Sequence, residues 1–413
     1  MNAPRLRFKS FKDEYINTKL SSLLIEDIKN GTQNKEGQNE FNIKFINVVN
    51  LYRPTIHVDE LNYIDKDIEK LKPYLVYEED LFYTRSSLTV EGIAHCNIYL
   101  DKYSPITFDD HIMRVRVNKK IAYPNFIKLY SLSSKARKYF MSVAKTGTMT
   151  TIGQSEINNL EIKLPSYKEQ VRISEFFSKL ALKIQLQQEK IDLLKKQKEG
   201  YMQKIFKQEL RFKGENGEKY PKWIETTIGE TIDVGSCLRV HQKDWTNTGV
   251  PFYRARDIVN INNGFSPEPL HISNELYNEK IKKSGPIQIG DVMITGVGTI
   301  GVPYLIERND KIYFKDGNVV WLKNNSKING KYLYYYLLSE GVQRYIKVTS
   351  GLGTVGTYTI ENAKKTPLKI PCLDEQLMIS NFLSVLDKKI KLEQQKLEEI
   401  QKQKQGFMQE MFI

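Results

Sequence analysis

Apolar residues recur on alternating three- and four-residue steps in two long stretches of the chain. In the first, Phe177, Leu180, Ile184, Ile191, Leu194, Tyr201 and Ile205 follow these steps, and Gln187 and Lys198 fill two gaps. In the second, Leu383, Leu386, Ile390, Leu397, Ile400, Phe407 and Met411 repeat the pattern, with Glu393 and Lys404 in the same gaps. This is the a/d spacing of a coiled-coil seam, and the Lys, Gln and Glu residues between are what a solvated face requires. The spacing predicts two long helices, each beginning just beyond a proline (Pro165, Pro371) that breaks the preceding extended segment. They are expected to pair as an antiparallel coiled coil; the alternative is that each packs only on its own globular half. A pseudo-twofold between Ile191/Leu194 and Leu397/Ile400 would set Gln187 opposite Lys404 and Glu393 opposite Lys198. Such a charged pair would disfavour slipped registers. Gly200 and Gly406, at matching positions late in each helix, are expected to mark a bend or a close approach.

The two stretches are copies of one another. Pro165 to Phe206 returns as Pro371 to Phe412 at a constant shift of 206 residues, with 20 identities in 42 positions and no gap. A period that long is no solenoid unit; it implies two similar halves, each a globular segment followed by a long helix. The expected division is 1–165, a first globular domain; 166–209, a central helix; 210–371, a second globular domain; and 372–413, a C-terminal helix. The fold class is α+β, with two α/β domains separated by two long helices in a pseudo-twofold internal repeat. Short β-rich runs, such as Leu81 to Thr84, Ile112 to Val117, Asp291 to Thr295 and Asn318 to Leu322, lie between Gly, Asn, Pro and Asp clusters.

The globular segments diverge, yet landmarks recur. Leu6-Arg7-Phe8-Lys9 returns as Leu210-Arg211-Phe212-Lys213, and Phe108-Asp109-Asp110-His111 resembles Phe314-Lys315-Asp316-Gly317. The first helix runs on into the Leu-Arg-Phe element, whereas the second stops at Ile413 and its continuation sits at residues 6–8. The chain reads as a circular arrangement cut at one joint, which predicts that its two ends lie together.

Composition adds a partner class and removes several chemistries. A formal charge of +13 and a pI near 9.2 favour a polyanionic partner, most often nucleic acid. No apolar run approaches the roughly 20 residues that span a bilayer, and the N-terminal stretch has no apolar core of a secretory signal, so a cytoplasmic protein with no membrane partner is expected. Three single cysteines, Cys96, Cys237 and Cys372, suggest no disulfide framework. His95-Cys96 lacks a second ligand pair at zinc spacing, so no metal site is expected there. There is no G-x-x-x-x-G-K-[ST] phosphate cradle, and Gly296 to Gly301, though it matches G-x-G-x-x-G, lacks a βαβ context and reads as a turn at a strand end. No Asn/Asp-Pro-Pro-aromatic tetrapeptide of an amino-methyltransferase occurs. The chain reads as a binder with no catalytic residues rather than an enzyme.

Two variable domains, each followed by Ile/Leu-x-Ile/Leu-Pro, a Glu-Gln pair and a helix ending in Gln-Lys-x-Gly-aromatic-Met-Gln, resemble the specificity subunit of Type I restriction–modification systems. The stretches are Ile162 to Pro165 with Glu169-Gln170, then Lys198 to Gln203, repeated from Leu368 to Gln409. Gly290 to Gly298 resembles the family's Gly-Asp-hydrophobic strand. The resemblance implies two target-recognition domains, each reading half of a bipartite, asymmetric site in double-stranded DNA, with the helices as ruler. The seam from Phe177 to Ile205 is about 42 Å long, on the order of one DNA turn. It also implies two docked modification subunits carrying S-adenosylmethionine chemistry, and restriction subunits adding ATP- and Mg-dependent translocation and cleavage, with no cofactor in this chain. Candidate DNA contacts are Arg85, Arg114, Lys145, Thr146 and Thr148 in the first domain. In the second they are Arg254, Arg256, Lys282, Lys283, Thr354 and Thr357. Arginine can be bidentate to guanine, while Lys and Thr more often meet phosphate; the alternative for each cation is a solvated surface charge. Where many relatives carry Arg after the Gly-Asp strand's Thr, the second domain has Gly296, although Arg85 fills the comparable place in the first. The competing readings are a complete modification–restriction enzyme with an unrecognised active site, and a coiled-coil scaffold with lectin-like or RNA-binding domains.

Overall fold

A computed structural model of the chain describes residues 4–33, 43–64, 68–315, 317–351 and 356–412. The chain divides into two compact units, residues 1–188 with 395–413, and residues 189–394. Both predicted helices are present and unbroken, Tyr167–Phe206 and Leu373–Met411. Each unit therefore takes one globular segment and part of both long helices.

The first unit contains strands β1 (Ile16–Lys19), β2 (Lys29–Asn30), β3 (Ile43–Ile46), β4 (Asn62–Ile64), β5 (Leu81–Thr84), β6 (Ser86–Ser87), β7 (Cys96–Ile98), β8 (Ile106–Phe108), β9 (Ile112–Val115), β10 (Thr150–Thr151) and β11 (Glu161–Leu164). An antiparallel sheet runs β2-β9-β5-β7, and a smaller one runs β4-β3-β8 with β3 and β8 parallel. The second unit contains β12 (Ile224–Thr227), β13 (Asp233–Gly235), β14 (Trp245–Thr246), β15 (Val250–Tyr253), β16 (Leu270–Ile272), β17 (Val292–Thr295), β18 (Pro303–Leu305), β19 (Tyr313–Phe314), β20 (Val319–Lys323) and β21 (Pro367–Ile370). Its sheets run β13-β20-β17-β18 and β14-β16-β15-β19, again with one parallel pair, β15 with β19. The duplication thus extends into the divergent segments: the four-stranded antiparallel sheet and the parallel pair recur, while the second unit's other sheet has four strands to the first unit's three. β8 and β19 match the Phe108 and Phe314 landmarks; Asp316 in the second landmark lies outside the described residues.

The repeated polar residues anchor each long helix to its globular segment. Buried Glu169 takes a bidentate pair from Arg7 (Nε to Oε1 2.8 Å, Nη2 to Oε2 2.7 Å) and a hydrogen bond from the Tyr15 hydroxyl. Glu375 takes the same pair from Arg211 (3.0 and 2.6 Å), with Trp223 Nε1 as the third donor. Gln170 donates to Pro165 O and accepts from Tyr123 N; Gln376 donates to Pro371 O and accepts from Asn329 N. These bonds satisfy buried groups that would otherwise be costly, and they account for the recurring Leu-Arg-Phe, Pro and Glu-Gln together. Likewise the Gly-Asp strand's Asp291 is buried, accepting from Trp321 Nε1, Gln288 N and Asn324 N.

Every predicted seam residue is buried or half-buried, as are the four polar gap residues. Within the second unit the helices are antiparallel, because Lys190 pairs with Glu393 (3.0 Å) and Lys198 with Asp387 (2.6 Å). The predicted Lys198–Glu393 pair is therefore wrong: Lys198 meets a carboxylate six residues earlier on the second helix than the pseudo-twofold required. Heptad seams differ little between neighbouring registers, so spacing alone does not fix which residues meet; in the observed register Tyr201 also packs on Phe382 (ring centroids 5.0 Å). Gly200 and Gly406 do not mark a close approach; a Cβ on either would meet nothing within 4 Å. The far ends of both helices are core elements. Phe412 packs on Phe126 in the first unit (ring centroids 5.7 Å), and Phe206 on Tyr332 in the second (6.0 Å). The cut joint is also visible. Leu6 N donates to Glu410 O (3.1 Å), the same bond that Leu210 N makes to Lys204 O (3.1 Å) in continuous chain. The chain segments near the two ends lie together, as expected.

Candidate nucleic-acid interface

In the first unit two predicted residues converge. Arg85 follows β5 directly, and its backbone is clamped between neighbours: its N donates to His111 O (2.7 Å), and its carbonyl accepts from Ile152 N (3.0 Å). The side chain is exposed, with Nη1 3.2 Å from Asp110 O. Lys145 and Thr151 exchange two backbone hydrogen bonds of 2.9 Å, closing a hairpin whose exposed tip carries Thr146 and Thr148. Arg85 and Lys145 line one cleft of about 430 Å³ together with Ser86, His111 and Met149. His111 is oriented by Asp109 and Asp110, each 2.9 Å from Nδ1.

Arg114, expected beside them, is instead buried in β9. It donates to Glu26 Oε1 (2.8 Å), Leu75 O and Pro73 O (3.2 Å). Burial pushes its pKa below the usual guanidinium value. Its hydrogen bonds are internal, so it has no free donor face for DNA. Arg254 is likewise engaged: Nε and Nη2 clasp Asp257 (2.9 and 3.2 Å), and the same carboxylate caps helix Ala255–Asn262 by accepting from Arg254 N. Arg256 is exposed, and Lys282 and Lys283 end helix Asn274–Ser284, Lys283 bound to Glu279 (3.0 Å). Thr357 N donates to Ser350 O, and Thr354 lies outside the described residues.

Gly296 sits in the backbone position of Arg85. Its N donates to Asn318 O and its carbonyl accepts from Tyr358 N, both at 2.8 Å, repeating the clamp on Arg85. A Cβ here would come 2.8 Å from Tyr358 O, so the ladder that holds the strand end leaves no room for arginine. The following stretch is the expected turn, with Thr295 Oγ1 accepting from Val302 N and Gly298 and Gly301 at positive φ. In its place the second unit has a cleft lined by Ile300, Arg344, Lys347, Ser350 and Gly351. Sequence reasoning missed Arg344 and Lys347. Their signal is i,i+3 spacing on helix Glu340–Thr349, immediately before the Gly- and Thr-rich stretch from Ser350 to Thr357.

The remaining chemical candidates are structural. Cys96 is buried, its thiol pushed up to about 12 by burial. Burial, with Arg137 and Lys128 nearby, lowers His95 to about 4, and its ring stacks on Tyr52 at 4.8 Å. Among the described residues no helix is long and apolar enough to cross a membrane.

Two α/β modules of related topology, each presenting cations beside a strand end and joined by long seam-bearing helices, define a duplicated recognition protein. The family model described as the Type I restriction modification DNA specificity domain matches residues 17–196 and again 221–402, and the chain belongs to that family. It is similar to the putative type I restriction enzyme MjaX specificity subunit of Methanocaldococcus jannaschii, 23% identical over 402 residues, covering 93% of this chain and 90% of that protein. Over 204 residues it is 30% identical to the putative specificity subunit S.HindORF215P of Haemophilus influenzae, covering 48% of this chain and 45% of that one. Among solved structures, the fold resembles the S subunit of a Type I restriction–modification system from M. genitalium (TM-score 0.54, 15% identity, 100% of this chain and 99% of that one). It also resembles a chain from a study of complex assembly and conformational transition in the type I system (TM-score 0.60, 15% identity, 96% and 97% covered).

Proposed function

We propose that this chain is the DNA-reading subunit of a Type I complex, each unit recognising one half of a bipartite, asymmetric site. The observation that carries this is the contrast at one backbone position. The same strand end bears Arg85 in one unit and Gly296 in the other, so one frame presents two different surfaces. In this reading Arg85 and Lys145, with Thr146 and Thr148, serve the first half-site. Arg256, Lys282, Lys283, Arg344 and Lys347 serve the second.

Catalysis belongs to partners: two modification subunits supplying S-adenosylmethionine chemistry, and restriction subunits supplying ATP- and Mg-dependent cleavage. A surface for a partner helix is consistent with Met378, Val385 and Leu392, which recur every seven residues on the second long helix, away from its seam. They are 44, 60 and 57% exposed. Leu186 stands at the repeat position of Leu392 and is 54% exposed. Exposed apolar residues at heptad spacing suit a further coiled-coil partner.

The test is to map methylated adenines in DNA from cells with and without this gene. A bipartite motif should be present with the gene and vanish without it; persistence of every such motif after deletion refutes the function.

A further inference from the structure

The cleft beside Arg85 continues into a second one of about 470 Å³ that shares Ser86, His111 and Met149 with it and adds Val48, Tyr52 and Leu88. Its walls are apolar and exposed. Leu88 is 85% accessible, the highest of any large apolar side chain among the described residues, and Met149 is 39% accessible. The loop bearing Leu88 is nonetheless fixed at its far end. Thr84 Oγ1 and the Tyr52 hydroxyl both donate to Gly92 O (2.7 and 2.8 Å), and Thr89 N donates to Ser87 Oγ (3.2 Å). A fixed loop that displays a leucine to solvent gains nothing for the fold. At the junction of the clefts lies Ser86, 8% exposed, whose Oγ is buried without a hydrogen-bond partner. A hydroxyl in that state wants a ligand atom.

We propose that this double cleft receives the major-groove edge of a thymine in the half-site read by the first unit. The C5 methyl would lie against Leu88 and Met149, and the Ser86 hydroxyl would donate to O4. The assignment rests on the DNA-recognition reading above. Among the four bases only thymine offers a methyl group beside an acceptor in the major groove. Cytosine presents an amino donor and no methyl, and a phosphate would leave the apolar wall uncovered. Arg85 and Lys145 at the rim then meet the flanking base or backbone.

The experiment uses the full chain assembled with its modification subunits and synthetic duplexes bearing the methylated motif. Each thymine is replaced singly by uracil, which removes only the methyl, and binding is read by fluorescence anisotropy. One replacement in one half-site should weaken the wild-type complex about fourfold, the value of one buried methyl-sized group. Leu88→Ala should bind the unmodified duplex with that weakened affinity and be indifferent to uracil at that position. It should keep its wild-type responses elsewhere, which shows that it is folded. Ser86→Ala should lose discrimination between thymine and cytosine at the same position. The proposal is overturned if the first half-site contains no thymine, if no thymine is methyl-sensitive, or if Leu88→Ala keeps the sensitivity. If the wild-type complex binds no sequence preferentially, the functional reading fails, and this assignment with it.

Discussion

Arg211→Met tests whether the repeated Arg–Glu clasp holds a long helix to its globular segment. Glu375 is fully buried, and Arg211 supplies its charge-matching donors at 3.0 and 2.6 Å, leaving Trp223 Nε1 (2.9 Å) as the other contact. Methionine keeps the aliphatic bulk and removes the guanidinium, so a carboxylate stays buried with one neutral donor. Breaking a buried pair in this way costs about 3–5 kcal/mol. Removing both charges with Arg211→Met/Glu375→Leu should recover most of that loss, because a well-packed apolar replacement of a buried pair is close to neutral. The three tryptophans, Trp223, Trp245 and Trp321, all lie in the second unit, so intrinsic fluorescence during urea unfolding reports on it. With a slope of about 2–3 kcal/mol per molar urea, the midpoint should fall by about 1–2 M in the single variant. In the double variant it should return towards wild type. Arg7→Met, read by hydrogen exchange at Ile16 to Lys19, should cost a similar amount in the first unit. A loss under about 1 kcal/mol in Arg211→Met, or a double variant no better than the single, would refute the anchoring argument.

Further outcomes follow from other sites. His95 is held near 4 in the folded state against 6.5 unfolded. The unfolded chain therefore binds its proton first, and stability present above pH 6.5 is lost as pH falls towards 4. The loss is about 2 kcal/mol after allowance for partial exposure; urea titrations should show it, and His95→Phe should flatten that slope. Gly200→Ala and Gly406→Ala should each raise stability by about 0.5–1 kcal/mol in thermal melts of the isolated chain, since the space above both is open. A chain with its ends linked by a short flexible segment and reopened between Gln208 and Glu209 should keep its fold and DNA selectivity, checked by circular dichroism and anisotropy. The Leu6–Glu410 bond already sits where Leu210 meets Lys204. Lys145→Ala should weaken DNA binding evenly across sequences and lower the salt slope by about 1, whereas a change in sequence preference would make Lys145 a base reader.

The parts of the fold that were legible in sequence are those fixed by periodicity. The a/d steps specify both helices, and the recurrence of Leu-Arg-Phe specifies the joint at which residues 6–8 meet the second helix. Register was not legible, because Ile and Leu at successive heptads tolerate a shift, and the pairs that mark the observed register, Lys190–Glu393 and Lys198–Asp387, lie partly outside the seam. The internal bonds of Arg114 and Arg254 were not legible, because an arginine's letter does not say what it pairs with. Arg114 sits in a strand, Ile112–Val115, that is buried at all four positions, and Arg254 precedes Asp257 by the three residues of a capping pair. Ser86 and Leu88 gave no signal, since their meaning depends on a hydroxyl left unpaired and a leucine left uncovered.

The two halves kept the main-chain frame and the Arg–Glu and Gln anchors, and changed the side chains displayed at the strand ends. The clamp on Arg85 and on Gly296 is the same pair of main-chain bonds, yet the residue clamped changed completely. The helices show the same division on a smaller scale. Lys198 is satisfied by Asp387 and lies over the Tyr335 ring at 5.2 Å. Its counterpart Lys404 has Ala181 and Leu129 at the matching positions, and among the described residues no carboxylate lies within ion-pair distance of it. Burial lowers the Lys404 pKa, and it also lowers that of Lys128, which feels the Lys404 charge. The second unit therefore carries a paired lysine where the first carries two half-buried ones. The two helix copies thus share a backbone pattern but not the charges set around it.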